Sequence, residues 1–243
     1  MIFDKKPLVA HVAHTLLMTG VERVVVVGSE LLIQALPPTS ERLLFCLEGR
    51  TLVDNLLRGA ETLGLSGEDR FLQCAVDLPM VSAGALCDLL EWTNADADVV
   101  VPLVPEETFR ARFPDAPYRA LRFAEGRFIS ASASVMRLEF LMRYEPLLRQ
   151  LARHRKSVPS VVATLLVRFH HHLFTSGVPL AVRFLAGRLS LSDLSKVARR
   201  VLDIQLQVYS HAAPELAYDV DDEHDYHYAK SWFQSARKPH NPT

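Results

Sequence analysis

No stretch of 18 or more residues in this 243-residue chain is both strongly apolar and free of charge, so no membrane-spanning helix is expected. An excess of charge of one sign is also missing. The net charge is −1, and no global field draws the chain to nucleic acid or anionic lipid. Cysteine is scarce: Cys46, Cys74 and Cys87 sit in apolar surroundings without metal-ligand spacing. They read as buried small hydrophobes in a reducing, cytoplasmic setting. Residues 1–7 are few and charged, and His11 and His14 interrupt the apolar segment that follows, so no signal peptide is expected. The chain has no internal repeat and no low-complexity tract. Its spacing shows no Ser-His-Asp or Cys-His arrangement, and no basic-and-aromatic platform for nucleic acid.

What is present is a soluble globular composition, 49% apolar and 23% charged. The length suits one large α/β domain or two small ones. The first half alternates helix and strand. Helical spacing over 8–18 ends at Gly20, and the β-branched run 24–27 reads as a strand buried on both faces. A second strand is expected at 43–47, and a helix at 51–63 with Thr51 and Asp54 resembling a capping box. A strand at 70–76, a helix at 82–92 capped by Ser82, and a strand at 98–104 complete the alternation. Short connections between such elements predict a mostly parallel, doubly wound, Rossmann-like sheet.

The second half differs. Segments 118–123 and 127–134 flank Glu125-Gly126 as a small antiparallel hairpin. Helices are then expected at 138–153, 158–174, 179–186 and 192–202, a short strand at 204–209 and a closing helix at 224–236. Residues 1–243 are expected to form one domain, with a helical insertion or subdomain at about 138–202 lying over the sheet.

Two acidic clusters end apolar stretches. Asp77 closes the strand 70–76, and Pro79 stops the strand just after it. Carboxylates at the C-terminal tips of strands in open α/β sheets lie where such folds bind ligands. The second cluster is Asp219-Val220-Asp221-Asp222, just before the last helix. Such carboxylates suit Mg²⁺, which proteins hold through one or two carboxylates plus substrate phosphates. Both clusters have plainer readings. Asp77 could be a cap near Ser82, and residues 219–225 could be a solvated acidic turn at a helix N-terminus.

At Lys6-Pro7-Leu8-Val9-Ala10-His11-Val12, Asp77-Leu78-Pro79 and Asp219-Val220-Asp221 the chain resembles nucleotidyltransferases with a GT-A-like fold. These include molybdenum-cofactor guanylyltransferase-like and sugar-phosphate nucleotidyltransferase-like proteins. The likeness spans most of the chain and includes the order of elements and the Pro-Glu-Leu-Ala-Tyr-Asp-Val-Asp run at 214–221. It implies that Asp77 and Asp221, helped by Asp219, hold Mg²⁺ on a nucleoside triphosphate. Gly49 and Asn55 match the region that contacts the nucleotide. The implied reaction transfers NMP from an NTP to a phosphorylated small molecule, a sugar phosphate or similar metabolite, and releases pyrophosphate.

One departure stands out. Such enzymes open with a strand running into a Gly-rich loop whose backbone N–H groups cradle phosphates. Here residues 1–7 stand where the turn into the first helix would be. The expectation divides: either the start is misassigned, or the gene is a degenerate relative that binds a nucleotide or a partner protein without turnover. A missing central strand would also leave an open sheet edge.

The remaining signals each have two readings. Arg119, Arg153, Arg155 and Lys156 could clamp a substrate phosphate or be solvated charges. His170-His171-His172 would point about 100° apart on a helix, which suits a polar stripe better than one metal. The apolar helices across 158–186 could pack as core, line an apolar substrate pocket, or rest on a membrane interface.

Overall fold

The computed structural model describes residues 2–3, 6–34, 36, 38–154, 182–183 and 186–236. A short antiparallel pair, β1 (Ile2–Phe3) and β2 (Lys6–Pro7), leads into α1 (Leu8–Leu17). The valine run forms β3 (Val24–Gly28). It pairs in parallel with β4 (Leu43–Leu47), Val24 opposite Leu43, with α2 (Glu30–Gln34) between them. Alternation along β3 explains why four successive valines are needed. Val24 and Val26 pack with Val9 and Ala13 of α1. Val25 and Val27 face α3 (Leu52–Leu63) so closely that a Cβ on Gly59 would lie 3.3 Å from Val27. Both faces of the strand are therefore covered, as in parallel sheets.

Helix α3 has the Thr51 cap its sequence predicts, and a glycine closes its other end. Thr51 Oγ1 accepts the Asp54 N–H at 3.2 Å, and Gly64 closes the helix with φ +68°. Arg149 of α7 (Glu145–His154) ties this end down. It pairs with Asp54 at 2.6 Å and donates to Thr51 Oγ1 at 2.9 Å.

The larger sheet contains β5 (Arg70–Cys74), β6 (Val99–Pro105), β7 (Leu121–Phe123), β8 (Gly126–Ser130), β9 (Ala133–Arg137) and β10 (Leu206–Tyr209). The architecture is α/β and Rossmann-like, with helices between strands. Most direct pairings in this sheet are antiparallel, because β9 lies between β5 and β6 and runs opposite to both. β5, β6 and β10 share one direction, with β10 parallel to β6. β8 and β9 are successive parts of one path along the same edge of β6, interrupted at Ala131-Ser132. The sequence pattern at 127–134 showed the first part of this path and missed its continuation. The hairpin expected around Glu125-Gly126 is present, with Phe123 opposite Gly126.

The helix expected over 138–153 is two helices, α6 (Leu138–Arg143) and α7, meeting at Tyr144. α4 (Ala83–Trp92) has Ser82 as N-cap, and α5 (Glu106–Arg112) was not anticipated. α8 (Leu191–Leu202) opens with a full capping box of Ser190 and Asp193. α9 (Glu223–Ala236) closes the described chain. Within the expected helical subdomain, α6 packs on α3 through Leu138, Leu141, Val53 and Ala60. The helices expected at 158–174 and 179–186, apart from residues 182, 183 and 186, lie outside the described residues. Among the described residues, no helix is long and apolar enough to cross a membrane.

The main core lies between α4, α5, α9 and the larger sheet. Leu78, Leu86, Leu89, Val100, Val104, Phe109 and Phe113 are fully enclosed there. The Phe113 ring meets Phe109, Tyr218 and Trp232 at centroid distances of 5.4, 5.4 and 5.6 Å, which fastens α9 to α5. Leu86 is the clearest test of this core. Leu86→Ala should cost about 2–5 kcal/mol, read as a lower urea midpoint at unchanged slope.

Candidate active site

The two acidic clusters meet. The Val220 N–H donates to the Asp77 carbonyl at 3.0 Å, which ties the segment before α9 to the tip of β5. Along 218–221 burial alternates: Tyr218 and Val220 are buried, Asp219 is half-buried and Asp221 is exposed. Asp219 and Asp221 thus lie on the side opposite the core-facing Val220.

The interruption between β8 and β9 supplies the third strut. Ser132 accepts the Ala75 N–H at 2.9 Å, and its own N–H donates to the Leu216 carbonyl at 2.7 Å. Its hydroxyl donates to Asp219 Oδ2 at 3.1 Å. One residue therefore bridges the β5 extension and the acidic segment and orients a carboxylate. Interruptions of this kind commonly re-aim a side chain beside a site. Sequence reasoning missed Ser132, because no local pattern marks a strand break in the middle of a strand-like run.

The electrostatics are those of crowded negative charge. Burial raises the Asp219 carboxyl above its ordinary range. The Ser132 hydroxyl lowers it, while the charges of Asp221 and Asp225 raise it further. Burial, and then the Asp77 charge, push the Cys74 thiol up to about 12, so that cysteine is an inert neighbour. Asp225, missed in the sequence as a separate element of the cluster, is buried, and its Oδ2 accepts the N–H groups of Asp221 and Asp222 at 3.0 and 3.3 Å. Asp222 returns the bond through Oδ1 to the Asp225 N–H at 3.0 Å. This reciprocal cap opens α9, and it could have been read from the Asp-x-x-Asp spacing. Ligand atoms of Asp222, His224 and Asp225 lie within 4.8 Å of one another, but the Asp225 carboxylate is already used as the cap.

Gly49 and Asn55 are brought together: the Gly49 N–H donates to Asn55 Oδ1 at 2.7 Å. A Cβ on Gly49 would lie 2.3 Å from the Asp54 Cβ, so only glycine fits there. Asn55 and Asp77 both line one cavity of about 680 Å³ between α1, β3, α3 and β5. Arg119 is exposed on the segment before β7, and Arg153 is exposed near the end of α7. Arg155, Lys156 and His170-His171-His172 lie outside the described residues.

Two acidic segments joined at a strand tip beside a cavity stand where open α/β sheets bind ligands. Residues 1–208 match the MobA-like NTP transferase domain, and the chain belongs to that family. The chain is similar to a transferase structure from Thermus thermophilus, described as hypothetical, at 27% identity and a TM-score of 0.73. The match covers 92% of this chain and 87% of the other. A nucleotidyl transferase from Methanothermobacter shares the fold at 15% identity and a TM-score of 0.53, covering 97% of this chain and 84% of its own. So does a CMP:2-keto-3-deoxy-manno-octonic acid synthetase complexed with CTP, at 13% identity and a TM-score of 0.60, covering 97% and 94%. No protein of the curated set matches the chain by sequence.

The buried charge on Asp219 makes a stability prediction. Its folded pKa is raised, so the ionised group opposes folding at neutral pH. Asp219→Asn should raise the melting temperature at pH 7. The gain should shrink as pH falls through the raised folded value and vanish below about 4, where the carboxyl is protonated in both states. Melting curves of both proteins from pH 3 to 8 check this.

Proposed function

We propose that this protein is a Mg²⁺-dependent nucleotidyltransferase acting on an NTP and a phosphorylated small molecule, with a sugar phosphate as the acceptor class. The observation that carries the reading is the Val220–Asp77 backbone hydrogen bond, which joins the acidic segment 219–221 to the strand tip at Asp77 from a distant part of the chain. Membership of the MobA-like NTP transferase domain family supplies the nucleotide.

The donor set fits the metal. Asp77, Asp219 and Asp221 offer hard oxygen ligands; burial first, and then the charges of Asp221 and Asp225, raise Asp219, and a divalent cation beside it would offset both. Bound there, Mg²⁺ would supply neutralisation of phosphate charge. The residues of this chain do the rest. Ser132 holds Asp219 in orientation. The Asp225 cap fixes the backbone at Asp221 and Asp222. Asn55 holds the turn at Gly49 beside the same cavity. In the transfer, an acceptor phosphate oxygen attacks the α-phosphorus in line. The bond to the bridging oxygen breaks, and pyrophosphate leaves with the electron pair.

A second reading keeps the acidic strand tip and the adjoining cavity as a binding site alone. It makes the protein a nucleotide-binding or partner protein without turnover.

Two measurements test these readings. A thermal-shift screen with the common NTPs, with and without Mg²⁺, should give a shift that requires both metal and one nucleotide. Pyrophosphate release with candidate sugar phosphates should then follow; binding without release favours the second reading. Asp77→Asn should lower Mg²⁺-dependent nucleotide affinity and turnover by about 10²-fold or more, with the melting temperature of the free protein nearly unchanged. Unchanged affinity would remove Asp77 from the site.

A further inference from the structure

The turn between β4 and α3 carries Gly49 and Asn55, and part of what shapes it comes from outside the turn. Some of its ties are local. Asn55 Oδ1 accepts the Gly49 N–H, and Arg58 of α3 donates to the carbonyls of Leu47 and Glu48 at 3.1 Å each. A further tie comes from far along the chain. Arg149, on α7 and 98 positions from Thr51, lays its guanidinium across the first turn of α3.

Each nitrogen of that guanidinium has a partner. Nη2 meets Asp54 Oδ1 at 2.6 Å, Nη1 donates to Thr51 Oγ1 at 2.9 Å, and Nε donates to Glu145 Oε1 at 2.9 Å. Glu145 lies one turn earlier on α7 and orients the fork. The Thr51 hydroxyl is used to its full capacity. It accepts from Arg149 and from the Asp54 N–H, and it donates to Asp54 Oδ2 at 2.9 Å. Asp54 is thereby held through both carboxylate oxygens. The hydrogen bonds from Arg149 and then Thr51 bring its carboxyl down to about 2, so the pair stays charged at neutral pH.

Asp54 passes this constraint to Gly49. A Cβ at Gly49 would stand 2.3 Å from the Asp54 Cβ and 3.2 Å from its Cγ, so the Gly49 backbone lies directly against the side chain that Arg149 fixes. Asn55, next in sequence to Asp54, takes the Gly49 N–H. The clamp therefore runs from α7 through Asp54 to the backbone of the turn. That turn follows the C-terminal tip of β4, where open α/β sheets bind ligands, and Asn55 shares a cavity with Asp77 beyond the tip of β5.

We propose that Arg149 is a positioning residue for nucleotide binding: it touches no reacting atom, and it holds the Gly49–Asn55 turn in the shape that receives the nucleotide. This role rests on the nucleotidyl-transfer reading and assigns nucleotide contact to this turn within it. Lysine does not replace the fork, because a single ammonium does not reproduce three fixed donor directions.

The test titrates the full chain with ATP, GTP, CTP and UTP in the presence of MgCl₂, in a calorimeter. The proteins are the wild type, Arg149→Met, Arg149→Lys, Asp54→Asn and the double variant Arg149→Met/Asp54→Asn. Leu86→Ala, a core change that lowers stability away from the turn, is the control. Arg149→Met should weaken the affinity for the bound nucleotide about tenfold or more, and Arg149→Lys should restore only part of it. The double variant should bind no more weakly than the weaker single variant, because both changes break the same pair. The Gly49 amide should exchange faster in Arg149→Met and not in Leu86→Ala, which should bind as the wild type does below its melting temperature. Unchanged affinity in Arg149→Met would overturn the positioning role. So would an equal loss in Leu86→Ala, which would make the effect one of stability alone. A wild type that binds none of the four nucleotides would overturn the nucleotidyl-transfer reading and this role with it, so the wild-type titration separates the two failures.

Discussion

The candidate site depends on one backbone hydrogen bond, from the Val220 N–H to the carbonyl of Asp77. Carboxylates repel one another, and no side-chain attraction would assemble Asp77, Asp219 and Asp221 unaided. The chain solves this by fixing their backbones first. Val220 is driven inward by burial, so its neighbours are held at the strand tip whatever their charge. The Asp222–Asp225 cap then fixes the next two residues by satisfying the N-terminal amides of α9. Apolar burial, in effect, holds an electrostatically unfavourable cluster in place.

Ser132 couples that cluster to the sheet. β9 must reverse direction relative to β5 and β6 to pair with both, and the path from β8 into β9 breaks at Ala131-Ser132 to reach the next register. The break frees both the backbone and the side chain of Ser132 from regular pairing. These groups bind Ala75, Leu216 and Asp219 instead. The antiparallel strand inside a largely one-directional sheet and the orientation of the half-buried carboxylate are thus the same structural event.

Much of this was legible in the sequence. The valine run, the strand into Asp77 and the caps at Thr51 and Ser82 depend on local preferences, and local preferences are written locally. Asp77 and residues 219–221 could be paired because strand tips and acidic turns are visible one at a time, and a family resemblance joined them. β9 was only half visible. Its residues 133–137 carry the same apolar character as β8, and only tertiary pairing shows where one ends and the other begins. Ser132 was invisible, because its importance lies in three partners far away along the chain. The break at Tyr144 was hidden too, since helical periodicity continues across it.

The position of β9 also orders assembly in time. β3 and β4 are close in sequence and pair directly, so they can form early. Among the described residues β5 pairs only with β9, joining Arg70 to Arg137, and β6 meets β10 by joining Val99 to Leu206. Closing such long loops costs chain entropy before any contact repays it, and folding slows accordingly. The tip that carries Asp77 is therefore among the last parts of the molecule to be built, and a nascent chain lacks the acidic cluster until residues 219–221 have arrived.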